Sequence, residues 1–209
     1  MENKRLGIIS GLSAYLLWGM LGVFWELLSV VPAMDTLAYR IVWSLVTISV
    51  VLTFQKSWKE VWHVIIELIQ NHKMGLIILS AFLISINWFL YIDMVTHEQA
   101  TEASLSYYIM PLMNVVVAVI FLHEKLSRSK IVALILVIIG VVILTIQTGS
   151  LPLNTLLMAA TFCFYGLIKK QVPLPATISL TLETLFVAPI ALVYLFLSPH
   201  VMIQNGPKI

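Results

Sequence analysis

Charge is scarce in this chain. Lys, Arg, Asp and Glu make up 11% of its 209 residues, against roughly 25% in a soluble globular domain, which excludes a water-soluble fold. Cysteine is scarcer. Cys163 is the single thiol, and it lies in an apolar run, so neither a disulfide framework nor a cysteine metal site is available. Enzyme signatures are missing as well. "HEQAT" (97–101) and "HEKLS" (123–127) open like a zinc-protease helix, but Thr101 and Ser127 stand where the second His belongs. No Gly-rich phosphate loop, nucleophile elbow or basic face for nucleic acid occurs. The sequence thus predicts no catalytic residue, no metal, no cofactor and no nucleic-acid partner.

What the chain does have is hydrocarbon. It is 60% hydrophobic, with a mean hydropathy of +1.00. The apolar residues come in blocks of about 18 to 24, enough to cross roughly 30 Å of bilayer as helix. Seven blocks can be marked, at 6–31, 36–54, 74–95, 103–122, 130–147, 153–168 and 176–198. The alternating pattern of a membrane barrel is absent, so the fold class is an all-α polytopic membrane protein with about seven transmembrane helices. The opening "MENKRLGIISGLSAYLLWG" has the order of a signal peptide, but its apolar run is too long for one and reads as a retained span.

The cations are sorted by side. Of twelve Lys and Arg, ten fall before the first block or in alternate loops, Lys208 falls on the other side, and Arg40 lies inside a block. The positive-inside rule then places the N-terminus in the cytoplasm of a multi-pass protein of the plasma membrane. The amphipathic stretch 55–73 fits a helix on the cytoplasmic interface, with Trp58 and Trp62 as anchors.

A weak internal repeat is visible. "SAYLLWGMLGVFWELLSVVP" (13–32) is echoed by "AATFCFYGLIKKQVP" (159–173), with Trp18-Gly19 against Tyr165-Gly166 and then a Val-Pro. The following block carries Arg40 in the first copy and Glu183 in the second. Five spans separate the copies, so their topology is inverted, as in secondary transporters with a midplane site. The division is 1–150 for the first five-span repeat and 151–209 for the start of a second, incomplete one of two spans. In this arrangement Arg40 lies roughly 7 Å below the outer surface and Glu183 roughly 10 Å above the inner one. They are symmetry mates rather than direct partners.

Ionisable residues inside a bilayer cost about 2.5–3.5 kcal/mol and normally face protein or water. Arg40, Ser44 and Thr47 share one helical stripe, and Ser80, Asn87 and Tyr91 another. Ser104, Tyr107, Pro111 and Asn114 make a third, in which Pro111 frees the carbonyl of Tyr107 and kinks the helix. Tyr15, Gly19, Gly22 and Glu26 make a fourth, small enough for close helix approach. Their convergence would form a polar cavity. Ser44, Thr47 and Ser80 serve either that cavity or their own helix carbonyls. Trp18, Trp25, Trp43 and Trp88 read as packing or belt residues.

Residues 83–127 carry a more specific signal. Asn87-Trp88 with Tyr91, Ser104-Leu105, Tyr107-Tyr108, Pro111-Leu112 and "FLHEKLS" with Glu124 follow in order. "YLLWG" (15–19), "YRIVWSL" (39–45) and "TLETL" (181–185) accompany them. The chain resembles the RarD group of EamA-type permeases, in the drug/metabolite transporter superfamily, departing from it at Glu26, Ser106 and Met110. The resemblance implies ten spans in two five-span halves and transport of a small organic solute or drug-like metabolite by alternating access. The lipid bilayer and that solute are the implied partners. Coupling would be to a proton, to another ion or solute, or to none, and the permease would work alone or as a homodimer. Arg40, Asn87, Tyr91, Ser104, Tyr107, Tyr108 and Glu183 are the expected substrate-pathway residues. Glu124 is expected to anchor the cytoplasmic end. The alternative expectation is an inactive truncated fragment of such a permease.

Overall fold

The computed structural model describes residues 2–122, 127–148 and 152–198. These form eight helices: α1 (Glu2–Leu27), α2 (Ala33–Gln55), α3 (Trp58–Gln70), α4 (Met74–Thr96), α5 (Ala100–Leu122), α6 (Arg128–Thr148), α7 (Leu153–Gln171) and α8 (Ala176–Leu197). The all-α expectation holds, and no strand occurs among the described residues. By length and apolarity four helices can cross a bilayer, namely α1 over Gly7–Trp25, α2, α4 and α8, with a shorter apolar stretch at Ile131–Ile143 in α6. The blocks at 103–122 and 153–168 fold as α5 and α7. Each of these helices carries polar ends that hydropathy alone leaves out, such as Glu102 in the first turn of α5 and Lys169-Lys170 in the last turn of α7.

The helix ends follow two local rules. α2 and α8 both start from an extended proline, Pro32 (φ −52°, ψ 136°) and Pro175 (φ −54°, ψ 141°). Proline pre-sets φ and lacks a donor that a first turn would leave unused. α2, α3 and α4 stop at residues in the left-handed region, Lys56, His72 and Glu98, with φ of 55°, 54° and 63°. At each stop the next amide reaches back five residues: Ser57 to Leu52, Lys73 to Leu68 and Gln99 to Met94. This Schellman closure satisfies carbonyls that the helix end would strand. α3 is the amphipathic helix expected at 55–73. Its Val61 and Leu68 pack with Leu52, Ile77, Ile178 and Leu182, while Trp58 and Trp62 are exposed.

α4 is the central helix, packed on α7 and α8, with α2 beyond α8 and α5 beyond α7. α1 packs mainly on α4, and α6 on α5. Small residues at these contacts, among them Ala38, Ala81, Ala103, Ala159, Ala188 and Ala191, are buried. Lipid tails give helices no hydrophobic reason to associate, so close backbone approach and polar links must hold them. Asn87 Nδ2 on α4 donates to Met158 O (2.7 Å) and Thr161 Oγ1 (3.2 Å) on α7. Tyr194 near the C-terminal end of α8 donates to buried Asp35 in the first turn of α2 at 2.7 Å. That bond makes α2 and α8 antiparallel. Asp35 sits at a helix N-terminus, where the dipole favours an acid.

Candidate functional site

Two polar centres are built on the antiparallel α2–α8 pair. Both use one local frame: a proline, a hydroxyl four residues on, and a charge four further. The first reads Pro32, Thr36, Arg40 and the second Pro175, Ser179, Glu183. Helical spacing stacks hydroxyl and charge on one face. In each, the hydroxyl residue's amide makes the opening backbone bond to the proline carbonyl, Thr36 to Pro32 O (3.1 Å) and Ser179 to Pro175 O (2.9 Å).

The Glu183 centre is closed. Glu183 is 3% exposed, and Lys169 Nζ from α7 meets its Oε1 at 2.6 Å. Ser80 Oγ of α4 donates to the same oxygen at 3.0 Å and Ser179 Oγ at 3.3 Å. Tyr165 OH donates to Oε2 at 3.2 Å. Lys169 also donates to Ser179 Oγ and lies 5.0 Å from the Tyr165 ring centroid. Three helices therefore converge on one neutralised carboxylate. Lys169, counted from the sequence among the loop cations, is half-buried here. Tyr165 and Ser179 were not among the expected site residues either. The available signal was the spacing, since Tyr165/Lys169 and Ser179/Glu183 are both i,i+4 pairs.

The Arg40 centre is open. The Arg40 guanidinium carbon lies 4.2 Å from the Trp88 ring centroid and 5.4 Å from that of Trp25. Arg40 has no salt bridge to an acid among the described residues. It lines a groove of about 460 Å³ between α1 and α2, walled by Phe24, Leu28, Val31, Trp43 and Ile48, with Leu180 of α8. Tyr39, Ser44 and Thr47 add hydroxyls to the same wall. The stripe of Arg40, Ser44 and Thr47 is thus one face of a real concavity, although Thr47 Oγ1 also donates to Trp43 O at 2.8 Å. Thr36 lines the groove at 6% exposure, and its Oγ1 has no hydrogen-bond partner.

The other expected residues divide. Tyr91 of α4 and Tyr107 of α5 stack edge to face, 6.3 Å between centroids, within electrostatic range of Arg40. Asn87 is buried in the α4–α7 contact. Ser104, Tyr108, Pro111 and Asn114 lie on the exposed face of α5, opposite Ala103, Ser106, Met110 and Val117, which are buried. The four stripes therefore do not all converge on one cavity. Pro111 lies within an uninterrupted helix, and Ser104 Oγ donates to Ala100 O. Nothing lies within 4 Å of where a Cβ on Gly19 would sit, while at Gly22 the Tyr91 hydroxyl is 3.7 Å away. The close approach expected of that face is thus made at Gly22. Glu124 lies outside the described residues, as do the side chains of Trp18 and Glu26. Among the described residues no group of three His, Cys, Asp or Glu could hold a metal.

The chain is 45% identical over 200 residues to the uncharacterised transporter YojE of Bacillus subtilis (strain 168), covering 96% of this chain and 67% of that one. It is 37% identical over 196 residues to the protein RarD of Escherichia coli (strain K12), covering 93% and 65% respectively. RarD of Streptomyces exfoliatus is 40% identical over 184 residues, covering 88% and 57%. The chain thus spans about two thirds of the length of the curated relatives it matches. No solved structure matches it. The EamA-like transporter family matches residues 5–146, and with relatives of this identity the chain belongs to that family of multi-pass membrane transporters.

Proposed function

We propose that this chain acts as a plasma-membrane permease for a small organic solute, with Arg40 as the solute-binding residue. One observation supports this above the rest: a guanidinium within an apolar helix lines a groove and meets no carboxylate among the described residues. Such a residue is expensive in hydrocarbon and marks a solute or ion path by default. The Glu183–Lys169 pair, six residues or roughly 9 Å further along the α2–α8 axis, acts as the sealed end. Tyr91 and Tyr107 continue the path from Arg40, with Asn87 holding α4 against α7. The face of α5 with Ser104 and Tyr108 forms a second wall, because Tyr108, 76% exposed, carries a hydroxyl that would have no partner in hydrocarbon.

In this reading the N-terminus is cytoplasmic and seven helices span. Residues 1–150 form one five-span repeat, and 151–209 begin its inverted counterpart. The matched Pro32 and Pro175 starts of two antiparallel helices support that relation. Alternating access would rock one repeat against the other. The test is solute uptake in vesicles from cells carrying Arg40→Ala against wild type, at equal protein level. Transport is expected to fall by at least about tenfold, and unchanged transport would remove Arg40 from the site.

A further inference from the structure

We infer that the Arg40 groove selects organic monocarboxylates with an aromatic or branched apolar body, over neutral, zwitterionic and doubly charged relatives. This rests on the permease reading and names its substrate class.

The chemistry starts from what Arg40 touches. Trp88 and Trp25 both lie against the guanidinium, contacts that suit its flat face and leave its N–H edge for a planar, two-oxygen acceptor. A carboxylate matches that fork with two parallel charge-assisted bonds. The second observation is Thr36, buried and lining the same groove with an unpartnered hydroxyl. A buried hydroxyl without a bond is costly, and rotation of the Thr36 side chain toward the groove would let a carboxylate oxygen accept from it. The other copy of the frame shows the arrangement completed. There Ser179 and the Glu183 carboxylate are joined by the Lys169 cation. In the Arg40 copy the hydroxyl and the cation are present, and the carboxylate is what a ligand would bring.

The rest of the lining narrows the class. Among the described lining residues Arg40 is the sole cation and none is an acid. One negative charge is therefore neutralised, a second would stay unpaired against this lining, and an ammonium would find no carboxylate among the described lining residues. Phe24, Trp25, Tyr39 and Trp43 offer ring faces to a flat body. A groove of about 460 Å³ falls within the roughly 300–1,000 Å³ of small-molecule sites.

The test is calorimetric titration of the protein in lipid nanodiscs with phenylacetate, phenylacetamide, phenylalanine and phenyl phosphate. Phenylacetate should bind at least about tenfold more tightly than the other three, the size of one charge-assisted bond lost. Arg40→Gln should abolish that preference, Arg40→Lys should weaken it, and Thr36→Val should cost several-fold, all with unchanged elution profiles. Equal binding of phenylacetamide, or tighter binding of phenylalanine or phenyl phosphate, overturns the inference whatever the variants do. Uptake of a mixed metabolite pool into proteoliposomes separates the two readings. Arg40-dependent uptake of solutes other than monocarboxylates overturns this inference and leaves the permease standing. Uptake of nothing overturns both.

Discussion

The Glu183 and Arg40 centres share a frame and differ in everything that decides use. Each charge lies eight residues after a capping proline, in helices that pack antiparallel. Around Glu183 the lysine, serines and tyrosine supply both counter-charge and donors from three helices. Around Arg40, among the described residues, indoles stand where a counter-charge would, and a hydroxyl is left unpaired. A buried charge satisfied by protein fixes structure. One satisfied by ring faces alone stays available to a ligand. The same local geometry can thus yield a lock or a site, depending on what neighbouring helices deliver.

The contrast can be broken most strongly at the lock. Glu183→Leu leaves Lys169 without its partner and should cost about 3–5 kcal/mol in thermal unfolding in detergent. Glu183→Leu with Lys169→Met should recover most of that loss, because an apolar pair of similar volume replaces a buried ion pair at little net cost. If the double variant is as unstable as the single one, the pair is not the source of the stability. Tyr194→Phe removes the bond to buried Asp35 that sets the α2–α8 register. A loss of about 1–3 kcal/mol is expected, and disulfide crosslinking between the two helix ends should report any slip. Arg40→Gln should change stability by no more than about 1–2 kcal/mol, the worth of its ring contacts, while transport falls at least tenfold. A destabilisation matching that of Glu183→Leu would erase the distinction between lock and site. The smallest effect is expected far from both. Glu98→Gly, at φ 63°, should stabilise by about 0.5–1 kcal/mol because glycine adopts that backbone without a Cβ clash.

Much of this was legible along the chain. The helical class, the amphipathic segment that became α3 and the polar stripe from Arg40 to Thr47 all follow from short-range periodicity. Arg40 and Glu183 stood out because charge is rare in apolar runs. Three readings needed neighbours. Lys169 looked like a flanking cation, since hydropathy cannot see that its four-carbon stem reaches back to a carboxylate on the next helix. Asn87 stood out as a polar residue on a stripe, and its bond to α7 is visible in the packing alone. Ser104, Pro111 and Asn114 share a stripe with Tyr107, yet α7 packs on the other side of α5.

The sequence by itself determined the solvent and the elements. A bilayer leaves backbone groups no partners but their own helix, so apolar block length was enough to set the helices. Only the tertiary structure decided which buried charge meets a counter-charge among the described residues and which meets indoles. That outcome depends on the register in which α7 and α4 meet α8, and on the indoles that α1 and α4 bring to α2. These are contacts between residues up to 103 positions apart, and no local pattern encodes them.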